Sequence, residues 1–364
     1  MSNIKKAHSS LSKIREQIDK VDQEIIKLLN KRAELAIDVA AVKRKANLKF
    51  HSPEREREVI EKISASNKGP FPNDALKFIF REIISASLSL EEPLKVAYLG
   101  PEGTFTHLAT LRHFGSSVKC LPVQSIRSVF DSVESCKADY GLVPIENSNE
   151  GIVSYTLDMF MDNELKISSE VLLEVTHNLL SMSGSIKKVK KIYSHPQAAA
   201  QCKRWIEANL PGVPVLEATS TARAAELAAK HVDAAAIASE LSARIYDLKF
   251  VEKRIEDNKH NMTRFLVISK EFPKKSKKDK TSIMFSLQHK PGSLYDSLTP
   301  FEKAGINLTK IESRPSRRKA WEYIFFVDLE GHIEDENVKK AIDKVKKNCL
   351  FLKHLGSYPS HEKS

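Results

Sequence analysis

Residues 11–43, LSKIREQIDKVDQEIIKLLNKRAELAIDVAAVK, place apolar side chains three and four positions apart. The pattern lasts for about four and a half heptads and predicts one continuous helix with a single apolar stripe, whose start Ser10 or Ser12 would cap. The stripe consists of Leu11, Ile14, Ile18, Val21, Ile25, Leu28, Leu35, Val39 and Val42. A helix of about 35 residues would be about 50 Å long. A small unit cannot bury that length alone, so the sequence predicts a partner chain.

The segment around this stretch also has a helical pattern. Ser52-Pro53-Glu54 opens a second predicted helix, with proline in its first turn. NKGPFPND, residues 67–74, ends that helix, and a third runs from about Asn73 to Leu90. Residues 1–92 are therefore expected to form an all-helical domain.

The pattern changes after this segment. Between residues 94 and 272, short apolar runs such as VAYLG, YGLVPIE and AAAIAS alternate with helical stretches, which predicts an α/β domain. Residues 273–280 contain the basic run KKSKKDK and are expected to form a solvated linker. Residues 281–360 follow the order βαββαβ, which is the ferredoxin-like arrangement. We therefore predict a multidomain protein.

Composition limits the kinds of function. The net charge is +11, with 41% hydrophobic and 29% charged residues, as in soluble globular proteins. Basic residues alternate with acidic ones, as in EREREVIEK, which favours an anionic small molecule over nucleic acid. Four scattered cysteines without a CxxC pair argue against a metal site and against disulfides. The sequence has no apolar signal region and no run of transmembrane length, so we expect a cytoplasmic protein without membrane contact.

Several charged side chains fall within the helical pattern. Arg32 occupies a position on the apolar stripe, and Lys43 lies three turns further along nearly the same face. Arg55 and Glu56 begin the second helix, and Glu91 ends the third. An interhelical ion pair or an extended arginine stem would explain Arg32 alone. Five charges converging in a helical core are costly unless a polar ligand satisfies them.

Arg15 adds a geometric constraint. It shares a heptad position with Lys43, but 28 residues of helix separate them by about 42 Å. No metabolite spans that distance. If both residues touch one ligand, Arg15 must come from a second, antiparallel chain, and the protein must be a dimer with shared sites.

The stretch IREQIDKVDQEIIKLLNKRAELAIDVAAVK, followed by PEREREV, resembles the all-helical class of chorismate mutase. The resemblance implies that chorismate rearranges to prephenate without a cofactor, by orientation and electrostatic stabilisation. The final Gln or Glu of the family pattern bonds the breaking ether oxygen. Glu91 must be protonated to do so, and we expect burial to raise its pKa. Carried over, the catalytic candidates are Arg15 of the partner chain, Arg32, Lys43 and Glu91, and the substrate-binding candidates are Arg55, Glu56 and Ser87.

The α/β segment carries four motifs with polar residues beside apolar strands: YLGPEGTFTHLA (98–109), PIENSNEG (144–151), SHPQA (194–198) and NMTRFLVIS (261–269). Each motif alone fits a structural turn. Four in one segment favour a ligand site, because ligands bind at strand ends in open α/β sheets. The segment contains neither GxGxxG nor a P-loop, which argues against a nucleotide.

Together these motifs resemble prephenate dehydratase over residues from about 95 to 270. The resemblance implies two α/β lobes around a cleft, similar to periplasmic binding proteins. There, prephenate would lose its hydroxyl and CO₂ to give phenylpyruvate. Thr263 is the candidate proton donor and Glu146 the alternative acid, while His107 and His195 rank below them because lone histidines are more often structural. The catalytic candidates are Glu146, Asn147 and Thr263, and the substrate-binding candidates are Thr104, Thr106, Ser148, Gln197 and Arg264.

The tail, with HKPGSLYDSL and then IESRPS, resembles an ACT domain of the phenylalanine-sensing kind. The resemblance implies an L-phenylalanine site between two tails of a dimer, although GSLY stands here where the family pattern has GALV. The candidates are Gly292, Ser293, Leu294, Glu312, Ser313, Arg314 and Pro315. Arg317 and Arg318 are expected to be solvated.

The three resemblances imply conversion of chorismate to phenylpyruvate by a homodimer or higher oligomer, with no metal and no cofactor. Two alternatives stay open. One is an amino-acid sensor without dehydratase activity. The other is a mutase fused to a prephenate dehydrogenase, which would need a nicotinamide site.

Overall fold

The computed structural model describes residues 2–46, 51–315 and 323–360, with the side chains of residues 2–7 and 9 left aside. The described chain divides into two compact units. One comprises the residues up to Leu94 together with Phe114–Lys119, and the other comprises Lys95–His113 and everything from Cys120 onward. Arg317 and Arg318 lie outside the described residues. Among the described helices, none combines the length and the apolarity needed to cross a bilayer.

The first unit contains three helices: α1 (Ser2–Lys45), α2 (Pro53–Ser66) and α3 (Asn73–Glu91). The all-helical prediction for this segment is confirmed, but α1 begins at Ser2, so neither Ser10 nor Ser12 caps it. Its 44 residues make it about 66 Å long. The predicted start of α2 is also confirmed, because Ser52 accepts the backbone N–H of Arg55 and Pro53 stands in the first turn.

The second unit begins with an α/β lobe, called lobe 1, whose sheet has the strand order β2-β1-β3-β11-β5, with β4 beside β3. Its elements up to the first crossing are β1 (Lys95–Leu99), α4 (Phe105–Phe114), β2 (Lys119–Val123), α5 (Ile126–Glu134), β3 (Tyr140–Asn147), β4 (Gly151–Ile152), α6 (Ser154–Asp162) and β5 (Lys166–Glu174). The last strand of this sheet, β11 (Met262–Ser269), returns only after the second lobe and inserts between β3 and β5.

Lobe 2 has the strand order β10-β6-β9-β7-β8. Its elements are β6 (Asn178–Ser181), a 3₁₀ turn (Ile186–Lys188), β7 (Lys191–Ser194), α7 (Pro196–Gln201), α8 (Lys203–Asn209), β8 (Val215–Glu217), α9 (Thr221–Ala228), β9 (Ala234–Ala238), α10 (Glu240–Ile245) and β10 (Lys249–Glu252). The chain crosses between the lobes at residues 175–177 and 253–261. The two crossings bond to each other, Val175 N to Asn261 O at 2.8 Å and Ile255 N to His177 O at 2.8 Å. The predicted two-lobed architecture is therefore confirmed.

The tail of the second unit forms an antiparallel sheet with the order β13-β14-β12-β15, as the ferredoxin-like prediction requires. Its elements are β12 (Asp279–Leu287), α11 (Ser293–Lys303), β13 (Leu308–Pro315), β14 (Tyr323–Glu330), α12 (Glu336–Asn348) and β15 (Cys349–Pro359). Asp279 and Lys280, the last two residues of the expected linker, belong to β12.

Both faces of the tail sheet pack on other elements, except along the edge strand β13, where one face is exposed. One face packs on α11 and α12 through residues such as Phe285, Val327 and Phe301. The opposite face joins the core of lobe 1, where Met284 and Tyr358 belong to the same buried cluster. The approach is close, because a Cβ on Gly356 would lie 2.2 Å from the carbonyl oxygen of Ile167. Lobe 1 and the tail sheet therefore share one hydrophobic core.

Candidate functional site

In the helical unit, Arg32 of α1 reaches the last turns of α3. Its guanidinium donates to Ser87 Oγ and, at 3.5 Å, to the carbonyl oxygen of Ile83. Ser87 in turn donates to the same carbonyl at 2.7 Å. Burial lowers the pKa of Arg32. The structure therefore brings two predicted site residues together around a desolvated positive charge, which favours an anionic ligand.

Glu91 and Lys43 interact at the end of the same pair of helices. Burial raises the pKa of the Glu91 carboxyl, and the positive charge of Lys43 offsets part of that increase. One oxygen of Glu91, Oε2, is buried and has no hydrogen-bond partner among the described residues. A carboxyl with a raised pKa is protonated over a wider pH range and can then donate a hydrogen bond.

The predicted residues of α2 are placed differently. Arg55 is exposed and pairs with Glu58 at 3.1 Å, while Glu56 lies 3.5 Å from His51 Nε2. Arg57 was not selected from the sequence, yet its Nη1 is buried without a hydrogen-bond partner in the part of the chain that the structure describes. The sequence does not distinguish Arg55 from Arg57, because charged residues follow one another here. Only the packing of α2 shows which arginine is directed inward.

Arg15 lies on α1 far from the other candidates. It is exposed, and helix geometry separates it from Lys43 by about 42 Å. The apolar stripe between them is exposed as well, with Ile18 53%, Val21 54%, Leu28 66% and Val42 65% accessible. Within one chain, Arg15 therefore cannot share a ligand with Lys43.

The dehydratase candidates Asn147 and Thr263 meet in lobe 1. They are directly paired where β3 lies against β11, and Asn147 Nδ2 donates to Thr263 Oγ1 at 2.8 Å. The Asn147 oxygen accepts the backbone N–H groups of Asn149 and Glu150 at 2.9 and 3.1 Å. These bonds hold the oxygen end of the Asn147 amide, and its NH₂ end is held separately by its acceptors.

Four residues that sequence reasoning did not select extend this contact: Glu150, His177, Gln201 and Asn261. Asn147 also donates to Asn261 Oδ1 at 2.8 Å, and Asn261 donates to Gln201 Oε1 at 3.0 Å. Gln201 donates to Glu150 Oε1 at 3.1 Å, and its own oxygen lies 2.8 Å from His177 Nε2. Asn261 and Glu150 stand within motifs that we quoted, but Gln201 and His177 carry no local signal.

The remaining cleft candidates support the same region. Ser148 Oγ donates to His260 O at 3.1 Å and accepts the backbone N–H of Met262 at 2.9 Å, which ties the end of β3 to the start of β11. Gln197 donates to Glu150 Oε2 at 3.2 Å, so Glu150 of lobe 1 holds two glutamines of α7 in lobe 2. The polar residues therefore connect the two lobes.

The first loop of lobe 1 has mainly local partners. Thr104 Oγ1 donates to the carbonyl oxygens of Leu99 and Pro101 and accepts the N–H of His107 at 3.3 Å. Thr106 is buried within α4. His107 stacks on Tyr98, its Nδ1 accepts the N–H of Gly103, and burial lowers its pKa. These contacts support the structural role expected for His107.

Glu146 and Arg264 lie one residue away from Asn147 and Thr263, and they face the tail sheet. Glu146 pairs with Lys310 of β13 at 2.7 Å. Arg264 pairs with Asp328 of β14 at 2.6 Å and with Glu170 at 2.8 Å.

The neighbours of Arg264 stabilise the protonated form of its guanidinium. Burial alone would lower the pKa of its guanidinium, but Tyr358, Asp328 and Glu170 raise it above its ordinary value. The structure thus separates Glu146 and Arg264 from the Asn147–Thr263 contact.

The effector candidates fall on two elements of the tail. Gly292 has φ +82°, in the left-handed region that favours glycine, and precedes α11. Ser293 follows it, and its Oγ is buried without a hydrogen-bond partner among the described residues. Leu294 is 37% exposed.

The second group lies at the end of β13, an edge strand of the tail sheet. Its burial alternates, with Glu312 and Arg314 half-buried and Ser313 and Pro315 exposed. Arg314 Nη2 lies 3.3 Å from Asp158 of lobe 1. The strand that carries these candidates, β13, therefore contacts lobe 1 directly.

These features define a multidomain enzyme with a charged helical site, a two-lobed cleft and a regulatory-type sheet. Family models agree with this class. The model described as "Chorismate mutase type II" matches residues 14–92, "Prephenate dehydratase" matches 96–273, and "ACT domain" matches 281–347.

The chain is similar over its length to proteins named "Bifunctional chorismate mutase/prephenate dehydratase". It is 54% identical to the one from Aquifex aeolicus, over 96% of this chain and 98% of that protein. Among solved structures, prephenate dehydratase from Arthrobacter aurescens in complex with L-Phe is 33% identical, with TM-score 0.68, covering 74% of this chain and 91% of that one. GqqA, described as "a novel type of quorum quenching acylases", is 28% identical with TM-score 0.68, covering 73% of this chain and 98% of that one. The chain therefore belongs to the family of bifunctional chorismate mutase/prephenate dehydratases.

Proposed function

We propose that this chain converts chorismate to prephenate in the helical unit and prephenate to phenylpyruvate in the two-lobed cleft. The observation that carries the proposal is that both candidate sites occur in a single chain, Arg32 with Ser87 in one and Asn147 with Thr263 in the other. The domain boundaries 1–92, 94–272 and 281–360 are part of this proposal.

In the mutase reaction, the protein has to hold two carboxylates and stabilise charge on the ether oxygen. Arg32 and Lys43 supply the positive charge, and the partner's Arg15 completes the site. Protonated Glu91 donates to the ether oxygen, and its unpartnered, buried Oε2 supports this role. No nucleophile is needed, because the rearrangement is a matter of orientation and preorganised charge.

In the dehydratase reaction, the ring C–CO₂ bond and the ring C–OH bond break together. The electron pair of the first bond completes the aromatic ring, and the pair of the second leaves with oxygen. Thr263 donates a hydrogen bond to that departing oxygen, and Asn147 positions Thr263. Because threonine is a weak acid and keeps its proton, the departing hydroxide becomes water by taking one proton from hydronium or buffer acid in the solvent.

L-Phenylalanine is proposed to regulate the dehydratase by binding to the tail at Gly292–Leu294 and Glu312–Pro315. One relative was solved in complex with L-Phe. Direct contacts also support a coupling, since Lys310 and Arg314 of β13 reach Glu146 and Asp158 of lobe 1. An effector that changes the position of β13 would change the contacts of Glu146, one residue from Asn147.

We further propose a cytoplasmic homodimer, or a higher oligomer built from it. The exposed apolar stripe of α1 supports this assembly, because a second α1 would remove it from water. Burial of one such side chain contributes about 1.5–3 kcal/mol. An antiparallel arrangement would also bring the Arg15 of one chain to the Lys43 of its partner.

A product assay tests the proposed function against its alternatives. With chorismate as the only substrate and no NAD, phenylpyruvate should accumulate. Prephenate alone would refute the dehydratase proposal and favour a sensor. Phenylpyruvate formation would also separate this chain from a dehydrogenase fusion and from an acylase such as GqqA.

The two activities should separate by mutation. Arg32→Ala removes the desolvated charge of the helical site, so we expect mutase turnover to fall by about a thousandfold or more, with dehydration of supplied prephenate retained. Thr263→Ala should produce the reverse pattern, with at least about a hundredfold loss of dehydratase kcat. Each variant serves as the folding control for the other. Loss of both activities in one variant would contradict the assignment.

A further inference from the structure

A continuous chain of hydrogen bonds joins Glu150 to Thr263 across the cleft. The bonds pass through Gln201, Asn261 and Asn147, and each is 2.8 to 3.1 Å long. We propose that Glu150, Gln201 and Asn261 are positioning residues that keep the Thr263 hydroxyl a hydrogen-bond donor toward the departing oxygen. This inference rests on the proposed dehydratase function and concerns how its donor is oriented.

The donor-to-acceptor direction of this series of hydrogen bonds is set first at Glu150. A carboxylate accepts hydrogen bonds and donates none, so Gln201 must turn its NH₂ group toward Glu150. The oxygen of Gln201 then faces Asn261 and His177. Because an amide has one donor end and one acceptor end, the orientation of Gln201 fixes that of Asn261.

The same direction continues to Thr263. Asn261 uses its NH₂ group on Gln201, so its oxygen faces Asn147. Asn147 has two N–H bonds, and it donates one to Asn261 and the other to Thr263 Oγ1. Thr263 therefore accepts from the protein, and its own O–H is left to donate elsewhere.

His177 supports this direction from the crossing between the lobes. The Gln201 oxygen that it meets can only accept, so His177 carries its proton on Nε2. Burial lowers the pKa of His177, and the hydrogen bond to Gln201 raises it less, so the neutral ring is favoured. A neutral ring with Nε2–H gives Gln201 a second fixed donor.

The consequence for the reaction follows from the polarity at Thr263. When the C–O bond of prephenate breaks, the oxygen keeps the electron pair and becomes negative. A hydroxyl that donates stabilises this charge, whereas one whose proton pointed into the protein would present lone pairs to it. No proton leaves Thr263 permanently, and the step involves no oxidation or reduction.

The test exchanges the acid at position 150 and the amide at position 201. In the parent protein, Gln201 Nε2 donates to Glu150 Oε1 at 3.1 Å. Gln201→Glu would set two carboxylates against each other, so we expect dehydratase kcat to fall at least about tenfold. Glu150→Gln can present either its oxygen or its NH₂ group to Gln201, so the direction is no longer set at this end, and we expect dehydratase kcat to fall by about fivefold, less than in Gln201→Glu. The double variant restores a donor–acceptor pair and should recover to within about threefold, because the acceptor facing Asn261 is kept. A double variant as slow as Gln201→Glu, or a Glu150→Gln variant with the parental kcat, would overturn the proposal.

A second comparison asks whether position 201 acts through Thr263. In a Thr263→Val background, Gln201→Glu should change the residual kcat by less than about twofold, because the group it orients is gone. A full loss in that background would refute the relay. KM should change little throughout, and mutase activity of the same samples reports folding. Failure of the proposed function is distinguishable, because the unmodified protein would then form no phenylpyruvate from prephenate.

Discussion

Neighbouring residues on two strands of lobe 1 serve opposite faces of its sheet. Asn147 meets Thr263 on one face, while Glu146, one position earlier, meets Lys310 of the tail. Arg264 follows Thr263 and pairs with Asp328. Because side chains alternate along a strand, a single residue step separates the proposed chemistry from the contacts with the tail sheet. A change in the tail can therefore reach the site without crossing the rest of the lobe.

Glu91 provides a test at the residue scale. It must be protonated to donate to the ether oxygen, so mutase activity should fall as pH rises through its pKa. Burial raises that pKa and Lys43 offsets part of the increase, which extends activity above the pH at which an ordinary glutamate ionises. Glu91→Gln donates at every pH, so its pH profile should be flat over this range. A steady-state kcat profile from pH 4 to 9 measures the difference, and identical profiles would remove Glu91 as the titrating donor.

At the scale of elements, β13 has two different faces. Lys310 and Arg314 point to lobe 1, where they meet Glu146 and Asp158. The alternate residues face away, and Ile311 is 46% exposed on an edge strand. An edge strand with an exposed face is free to meet a second tail or a ligand. The proposed effector residues lie on both faces of this strand, with Ser313 and Pro315 on the exposed side and Glu312 and Arg314 on the side of lobe 1.

This arrangement predicts that Lys310 transmits inhibition. Lys310→Met removes the ion pair with Glu146, so the phenylalanine concentration for half-inhibition should rise by about fivefold or more. The matched control is Lys353→Met. Lys353 lies on β15, contacts Phe160 O of lobe 1 at 3.1 Å and belongs to a different strand of the same interface. Inhibition curves with prephenate measure both variants, and equal shifts would mean that the interface, and not β13, carries the effect.

At the scale of the whole molecule, the two units differ in how they bury apolar side chains. The helical unit leaves the apolar stripe of α1 exposed, whereas the second unit buries its apolar residues in a core. Lobe 1 and the tail sheet share a buried cluster, whereas α1 exposes Ile14, Ile18 and Val21 by about half. Exposed stripes of this size indicate an interaction surface. The mutase site, in contrast to the cleft, is therefore expected to depend on assembly.

A charge on the stripe tests this dependence. Ile25→Glu would place a carboxylate between the paired α1 helices, so we expect monomers by sedimentation velocity and loss of mutase activity, with the dehydratase retained. Gln23→Glu is the control, because two residues turn the helix by about 200° and place this position on the opposite side. A dimeric or mutase-active Ile25→Glu variant would contradict the shared site.

The sequence by itself determined the architecture of this protein. The 3-4 spacing of α1, the alternation of strands and helices, and the βαββαβ order each follow from local periodicity, which the chain carries residue by residue. The contact between Arg32 and Ser87 and that between Asn147 and Thr263 join residues that had been selected from motifs. These parts were predictable because each depends on a short segment with a distinctive pattern.

Only the tertiary structure decided how those residues are connected. Gln201 and His177 reach the cleft from α7 and from the first crossing, and no local pattern marks them. Glu146 pairs with Lys310 and Arg264 pairs with Asp328, on the face of the sheet opposite the Asn147–Thr263 contact. This assignment of faces depends on the register between β3 and β11, which the sequence does not show. Hydrogen bonds and ion pairs depend on distances between segments far apart in the chain, and packing alone sets those distances.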